Sequence, residues 1–136
     1  MSWENEYKSK LTTAEKAVEL IKSGNRVVIG HACAEPSYLV DAMVANAESY
    51  HDVEIVHMVA MGKAGYAQPG MESHFRHNAL FVGGTTRKAV AEGRGDYTPC
   101  FFYRIPQLFT NGSLPVDVAL VQATPPDENG NMSLGI

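Results

Sequence analysis

The chain predicts an α/β domain whose mostly parallel sheet is covered by helices. Short β-branched runs alternate with amphipathic stretches along the sequence. The runs are continuously apolar, as in parallel strands buried on both faces, and glycine or proline punctuates the joins.

Thr12-Thr13-Ala14-Glu15 reads as a capping box, followed by Ala17, Val18, Leu20 and Ile21 at helical spacing, with Gly24 placed to end the helix. Arg26-Val27-Val28-Ile29-Gly30 then predicts a buried strand that runs into a loop. Pro36 opens a second helix through Leu39, Val40, Met43 and Val44, since proline in a first turn sacrifices no helical hydrogen bond. Val53–Met58 is the second strand and Ala79–Val82 the third, separated by a long glycine-, histidine- and methionine-containing segment, 59–78.

Gly83-Gly84-Thr85-Thr86 predicts a strand-to-helix turn, with a short helix from Arg87 to Glu92 stopped by Gly93. Cys100–Tyr103 is expected as a strand whose aromatic residues belong to the core. A helical turn over Ile105–Phe109 closes near Asn111-Gly112, and Val116–Ala123 is strongly β-prone. Asp127–Asn131 predicts a turn into a new extended segment at Met132, so the sequence reads as one domain, 1–136, cut before its natural end. It contains no repeat and no low-complexity linker.

The 136 residues are 45% hydrophobic and 19% charged, the balance of a globular domain with one core. A net charge of -4 gives no bulk attraction to nucleic acid or anionic lipid. No apolar run approaches the ~20 residues of a membrane span, and the acidic start, Ser2-Trp3-Glu4-Asn5-Glu6, is unlike a signal peptide. A cytoplasmic setting is expected, with Cys33 and Cys100 as reduced, packed thiols.

Gly30-His31-Ala32-Cys33-Ala34-Glu35-Pro36 occupies the first strand-to-helix loop, where backbone amides can meet an anion or carboxylate. His31 changes charge near neutral pH and could hydrogen-bond a substrate carboxylate or an oxyanion; otherwise it caps or packs in the loop. A Cys33–His31 nucleophile is disfavoured, because residues two apart in a loop seldom hold the required geometry. Glu35 could act as an acid or base, although a glutamate before proline is more often solvated.

Gly83, Gly84, Thr85, Arg87 and Lys88 offer small residues, a hydroxyl and cations at a helix start, a cradle for phosphate that matches neither the dinucleotide fingerprint nor the P-loop pattern. His74 and His77, with His57 or Glu72, could ligate a metal, but the spacing is that of an ordinary surface pair and no metal is expected.

Four ordered segments together resemble the acetyl-CoA hydrolase/transferase family, which includes 4-hydroxybutyrate and butyryl-CoA:acetate CoA-transferases. They are Val27–Pro36, Phe81–Val90, Ile105–Phe109 and Pro125–Gly135. The resemblance implies the first of two tandem α/β domains of the NagB/RpiA/CoA-transferase-like type, with the catalytic C-terminal domain absent. It implies transfer of coenzyme A between an acyl-CoA and a small carboxylate of the acetate, butyrate or 4-hydroxybutyrate type, placing the enzyme in acetate metabolism. A glutamate outside this chain would form the glutamyl-CoA intermediate.

By the same resemblance His31 positions substrate, Gly30, Ala32, Cys33, Glu35, Met58 and Met61 line the acyl and carboxylate pocket, and the Gly83–Lys88 turn is a candidate contact for CoA. Coenzyme A would be a substrate, the partners would be the enzyme's own C-terminal domain and further copies of itself, and the isolated chain would be inactive. Two other functions compete with this one. A standalone regulatory module binding a nucleotide or phosphate through Gly83–Lys88 is one, and a sugar-phosphate isomerase or deaminase of similar fold is the other, resting on analogy alone. The acyl group, and transfer against hydrolysis, are not readable from these residues.

Overall fold

The computed structural model describes residues 2–134. Five strands, β1 (Arg26–Ile29), β2 (Val53–His57), β3 (Phe75–Ala79), β4 (Gly95–Tyr97) and β5 (Val118–Leu120), form one sheet in the order β4-β3-β2-β1-β5. Every neighbouring pair is parallel, as the apolar runs predict. The chain winds outward from β1 to β4 and then returns to the opposite side of β1 with β5. Strand order therefore reverses between β1 and β5, and the loops leaving those two strands diverge there.

The helices are α1 (Trp3–Lys10), α2 (Ala14–Val18), α3 (Ser37–Ala45), α4 (Arg87–Ala91) and α5 (Ile105–Thr110). Thr13 caps α2 by accepting from the Lys16 amide at 3.4 Å, as its sequence predicts. One face of the sheet, carrying Val27, Ile29, Val53, Ile55 and Phe75, is buried beneath Val18, Val40, Met43 and Tyr66. On the other face Val56 and Leu80 meet Leu114, with Ile105, Leu108 and Phe109 packed alongside. Alternate strand residues thus serve opposite faces.

Several elements depart from the sequence expectation. The third strand lies at Phe75–Ala79, not Ala79–Val82, because Phe75, His77 and Ala79 alternate into the main core while Phe81 is left 56% exposed. Cys100–Tyr103 is not a strand: Phe102–Arg104 forms a 3-10 turn leading into α5, and Phe101, Phe102 and Tyr103 are all exposed rather than core. The first predicted helix stops at Val18, leaving Leu20 in solvent. Helix α1 carries no apolar stripe to announce it. Its acidic first turn, basic last turn and Glu6–Lys10 pair at 2.7 Å suit the helix dipole instead.

Candidate functional site

Every loop that leaves a parallel strand at its carboxyl end emerges on the same side of the sheet, and ligands of open α/β folds gather there at the point of strand reversal. The Gly30–Pro36 loop leaves β1, which lies between β2 and β5 at that point. It is tied down on both flanks: the Gly30 amide donates to the Leu120 carbonyl of β5 at 2.9 Å, and the Ala32 amide to Val59 beyond β2 at 3.0 Å. Ala32 holds a left-handed backbone at φ 54, and a Cβ at Gly30 would lie 2.8 Å from the Ala34 carbonyl oxygen. Of the loop amides expected to meet an anion or carboxylate, those of Gly30 and Ala32 already donate to carbonyls.

His31 is half-buried, its ring edge-on to Phe102 with centroids 6.4 Å apart. Gly30 and His31 contribute to the wall of a cavity of about 320 Å³. The remaining wall is apolar, with Val56 of β2, Met58 and Leu80 just beyond the ends of β2 and β3, and Phe102, Ile105 and Phe109 from the covering segment. Such a chamber admits a short hydrocarbon chain and presents one titratable group, His31. Met61 is exposed, and so is Cys33, whose predicted burial does not hold; Cys100 is half-buried.

Glu35 is buried at 7% exposure, not solvated. Its Oε2 accepts from the amides of Met61 and Gly62, both at 2.9 Å, and a Cβ on residue 62 would collide with Oε1. Behind it stands His57, absent from the predicted site, whose Nε2 lies 3.9 Å from Glu35 Oε2 and whose Nδ1 is 2.7 Å from the Tyr66 hydroxyl. Burial lowers the His57 pKa to about 4 despite the nearby carboxylate, and burial likewise lowers His77 to about 4. Burial also raises the Tyr66 phenol. No spacing rule could have found this set, since its members come from three separate loops and strands.

The Gly83–Lys88 turn joins the same end of the sheet through Thr85, whose hydroxyl donates to the Ala60 carbonyl at 2.9 Å. Gly84, Arg87 and Lys88 are exposed, with Lys88 3.7 Å from Glu92, while Gly83 is buried. His77 points into the core with Nδ1 3.3 Å from the Ile55 carbonyl, so His74 and His77 are not a surface pair. Among the described residues no group of three His, Cys, Asp or Glu side chains is placed to hold a metal ion, and no helix is long and apolar enough to cross a membrane.

A parallel sheet covered by helices, with tied loops around an apolar chamber at the strand reversal, defines an open α/β domain. Residues 1–136 match the family described as acetyl-CoA hydrolase/transferase N-terminal domain, and the chain belongs to that family. It is 60% identical over its whole length to 4-hydroxybutyrate coenzyme A transferase of Clostridium kluyveri, covering 32% of that protein. Over 99% of the chain it is 31% identical to butyryl-CoA:acetate CoA-transferase of Anaerostipes caccae, covering 30% of that relative.

Among solved structures, RipA from Yersinia pestis superposes with a TM-score of 0.90 at 25% identity, over 99% of this chain and 34% of that one. A 4-hydroxybutyrate CoA-transferase from Porphyromonas gingivalis gives 0.78 at 32% identity, over 99% and 30%. The chain spans about a third of the length of these relatives.

Proposed function

We propose that this chain forms one wall of a CoA-transferase that moves coenzyme A between an acyl-CoA and a small carboxylate. The observation that carries the reading is the apolar chamber walled in part by His31 at the strand reversal, in a member of this family. The relatives' names point to 4-hydroxybutyrate, butyrate or acetate as the acyl and carboxylate partners.

In this reading the chamber takes the acyl chain, with Met58 on its wall, the exposed Met61 three residues on contributes from outside that wall, and His31 hydrogen-bonds the carboxylate or the developing oxyanion. The Gly30, Ala32 and Cys33 backbone shapes the loop that presents the imidazole. Arg87 and Lys88, both exposed beside Gly83, Gly84 and Thr85, are the cations available to CoA phosphates on this domain. The nucleophilic glutamate belongs to the C-terminal domain. Its carboxylate displaces CoA thiolate from the thioester to give an acyl-glutamyl anhydride. The thiolate then attacks the glutamyl carbonyl, releasing the acyl group as its carboxylate. The incoming carboxylate reverses both steps. The exposed face around Phe101–Tyr103 is covered in the complete, cytoplasmic and oligomeric enzyme.

Coenzyme A exchange between acetate and butyryl-CoA tests this reading. The purified 136-residue chain should give no turnover, and the complete enzyme carrying this domain should turn over at ordinary rates. Exchange by the isolated chain would place the nucleophile within it, contrary to the proposal.

A further inference from the structure

Four consecutive residues beyond β2 are each tied by a polar bond to one of two neighbouring segments, the Gly30–Pro36 loop or the Gly83–Thr86 turn. The Val59 carbonyl accepts from Ala32 and the Ala60 carbonyl from Thr85, while the Met61 and Gly62 amides both donate to Glu35. This run follows directly on Met58, which lines the chamber opposite the covering segment. A loop that only joined β2 to β3 would need none of these bonds for sheet register. Their density fixes where the run lies relative to the Gly30–Pro36 loop.

We propose that Glu35 is a positioning residue, buried beneath the site, whose carboxylate fixes the Met61–Gly62 backbone against the His31 loop and is itself held by His57. This deepens the transferase reading and rests on it. The position is built for a carboxylate. Both amides converge on one oxygen, and the other oxygen occupies the space that any side chain at residue 62 would need. Among the described residues no lysine or arginine is ion-paired with Glu35, so the anion relies on these amides and on His57.

His57 completes the arrangement. Its buried ring is neutral near pH 7, so it carries one proton, and among the described residues Nε2 has no hydrogen-bond partner while it faces the carboxylate at 3.9 Å. The tautomer that suits both sides has the Tyr66 hydroxyl donating to Nδ1 and the proton on Nε2, facing Glu35 across 3.9 Å as a favourable dipole and not a hydrogen bond. Tyr66 then donates to His57, whose N–H faces Glu35, and the Glu35 carboxylate accepts from the two loop amides. None of the three touches solvent appreciably, so they act through the loop and not on substrate. A displacement of about 1 Å in a wall that orients reacting groups is enough to lower turnover about a hundredfold.

The test uses the complete enzyme carrying this domain, with Glu35→Gln and Gly62→Ala. Glutamine keeps the shape and one oxygen acceptor but removes the charge and puts an NH2 group where the second carboxylate oxygen lay; alanine leaves the charge intact and pushes Oε1 out of its seat. Both should lower kcat for CoA exchange by about ten- to a hundredfold while KM for the acyl-CoA stays within about threefold. Amide hydrogen exchange at Met61 and Gly62 should rise at least about tenfold in both, with the exchange of β1 and β2 unchanged.

If Glu35→Gln does not fold, Gly62→Ala decides alone. Wild-type kcat in either folded variant, or unchanged exchange at the two amides, overturns the proposal. Absence of CoA exchange in the unmodified enzyme would instead remove the transferase reading, and the amide exchange rates would still decide whether Glu35 clamps the loop.

Discussion

On one face of the sheet, α2, α3 and the Gly65–Ala67 turn bury a continuous apolar layer that includes Val27, Ile55, Met43, Tyr66 and Phe75. On the opposite face a polar ladder runs from the amino-terminal end of β1 across to the end of β4. Arg26 pairs with Glu54, Glu54 accepts from Asn78, Asn78 accepts from Thr98, and Arg76 forks onto Asp96. Only the carboxyl-terminal half of that face is apolar, and the short covering segment leaves a chamber beneath it. Stability is concentrated on the closed face and the open space for a ligand on the other. The loops at the carboxyl ends of the strands belong to both.

The largest expected separation of the two faces is produced by acid. His57 and His77 are buried neutral on the closed face with pKa values near 4, whereas the unfolded chain binds their protons near 6.5. The unfolded state therefore holds more protons between those values, and stability falls as pH falls from about 6.5 to about 4, by an amount on the order of 5 kcal/mol for the pair. Denaturant midpoints measured at pH 7, 6 and 5 should drop progressively. A midpoint constant across that window would contradict the burial of the two rings.

Core truncation comes next. Phe75→Ala on the closed face should cost about 3–5 kcal/mol, while Phe102→Ala, at a residue 70% exposed, should stay within about 0.5 kcal/mol, both read from urea unfolding. Equal costs would mean that the covering segment packs as tightly as the main core. Of intermediate size, Glu54→Ala strips a partner from both Arg26 and Asn78 and should cost about 1–3 kcal/mol. A neutral result would show the ladder to be decoration of a solvated surface.

The closed face was also the more legible in the sequence. Arg26–Gly30 and Val53–Met58 are β-branched runs, and both became strands buried where expected. Phe75–Ala79 was missed because Arg76, His77 and Asn78 disguise the strand. Its inward alternation through His77 depends on partners that local pattern does not reveal. Phe101–Tyr103 was read as core because clustered aromatics usually are; their exposure follows from lying on the segment that covers the open face.

Within the site, the Gly30–Pro36 loop and the placement of His31 at a strand end could be read from strand and proline signals. The role of Glu35 could not, since its amide partners lie 26 and 27 residues away. A charge before proline carries no local sign of burial, and only the loop after β2 supplies it.

The central claim is that His31, in the loop at the strand reversal, meets the substrate's reacting carboxyl group. It is tested most directly by His31→Ala in the complete enzyme, measuring CoA exchange from butyryl-CoA to acetate together with acyl-CoA binding. The expected result is a loss of about a hundredfold or more in kcat/KM for the carboxylate, with acyl-CoA affinity within about threefold. Unchanged kcat/KM for the carboxylate in a folded variant would contradict it.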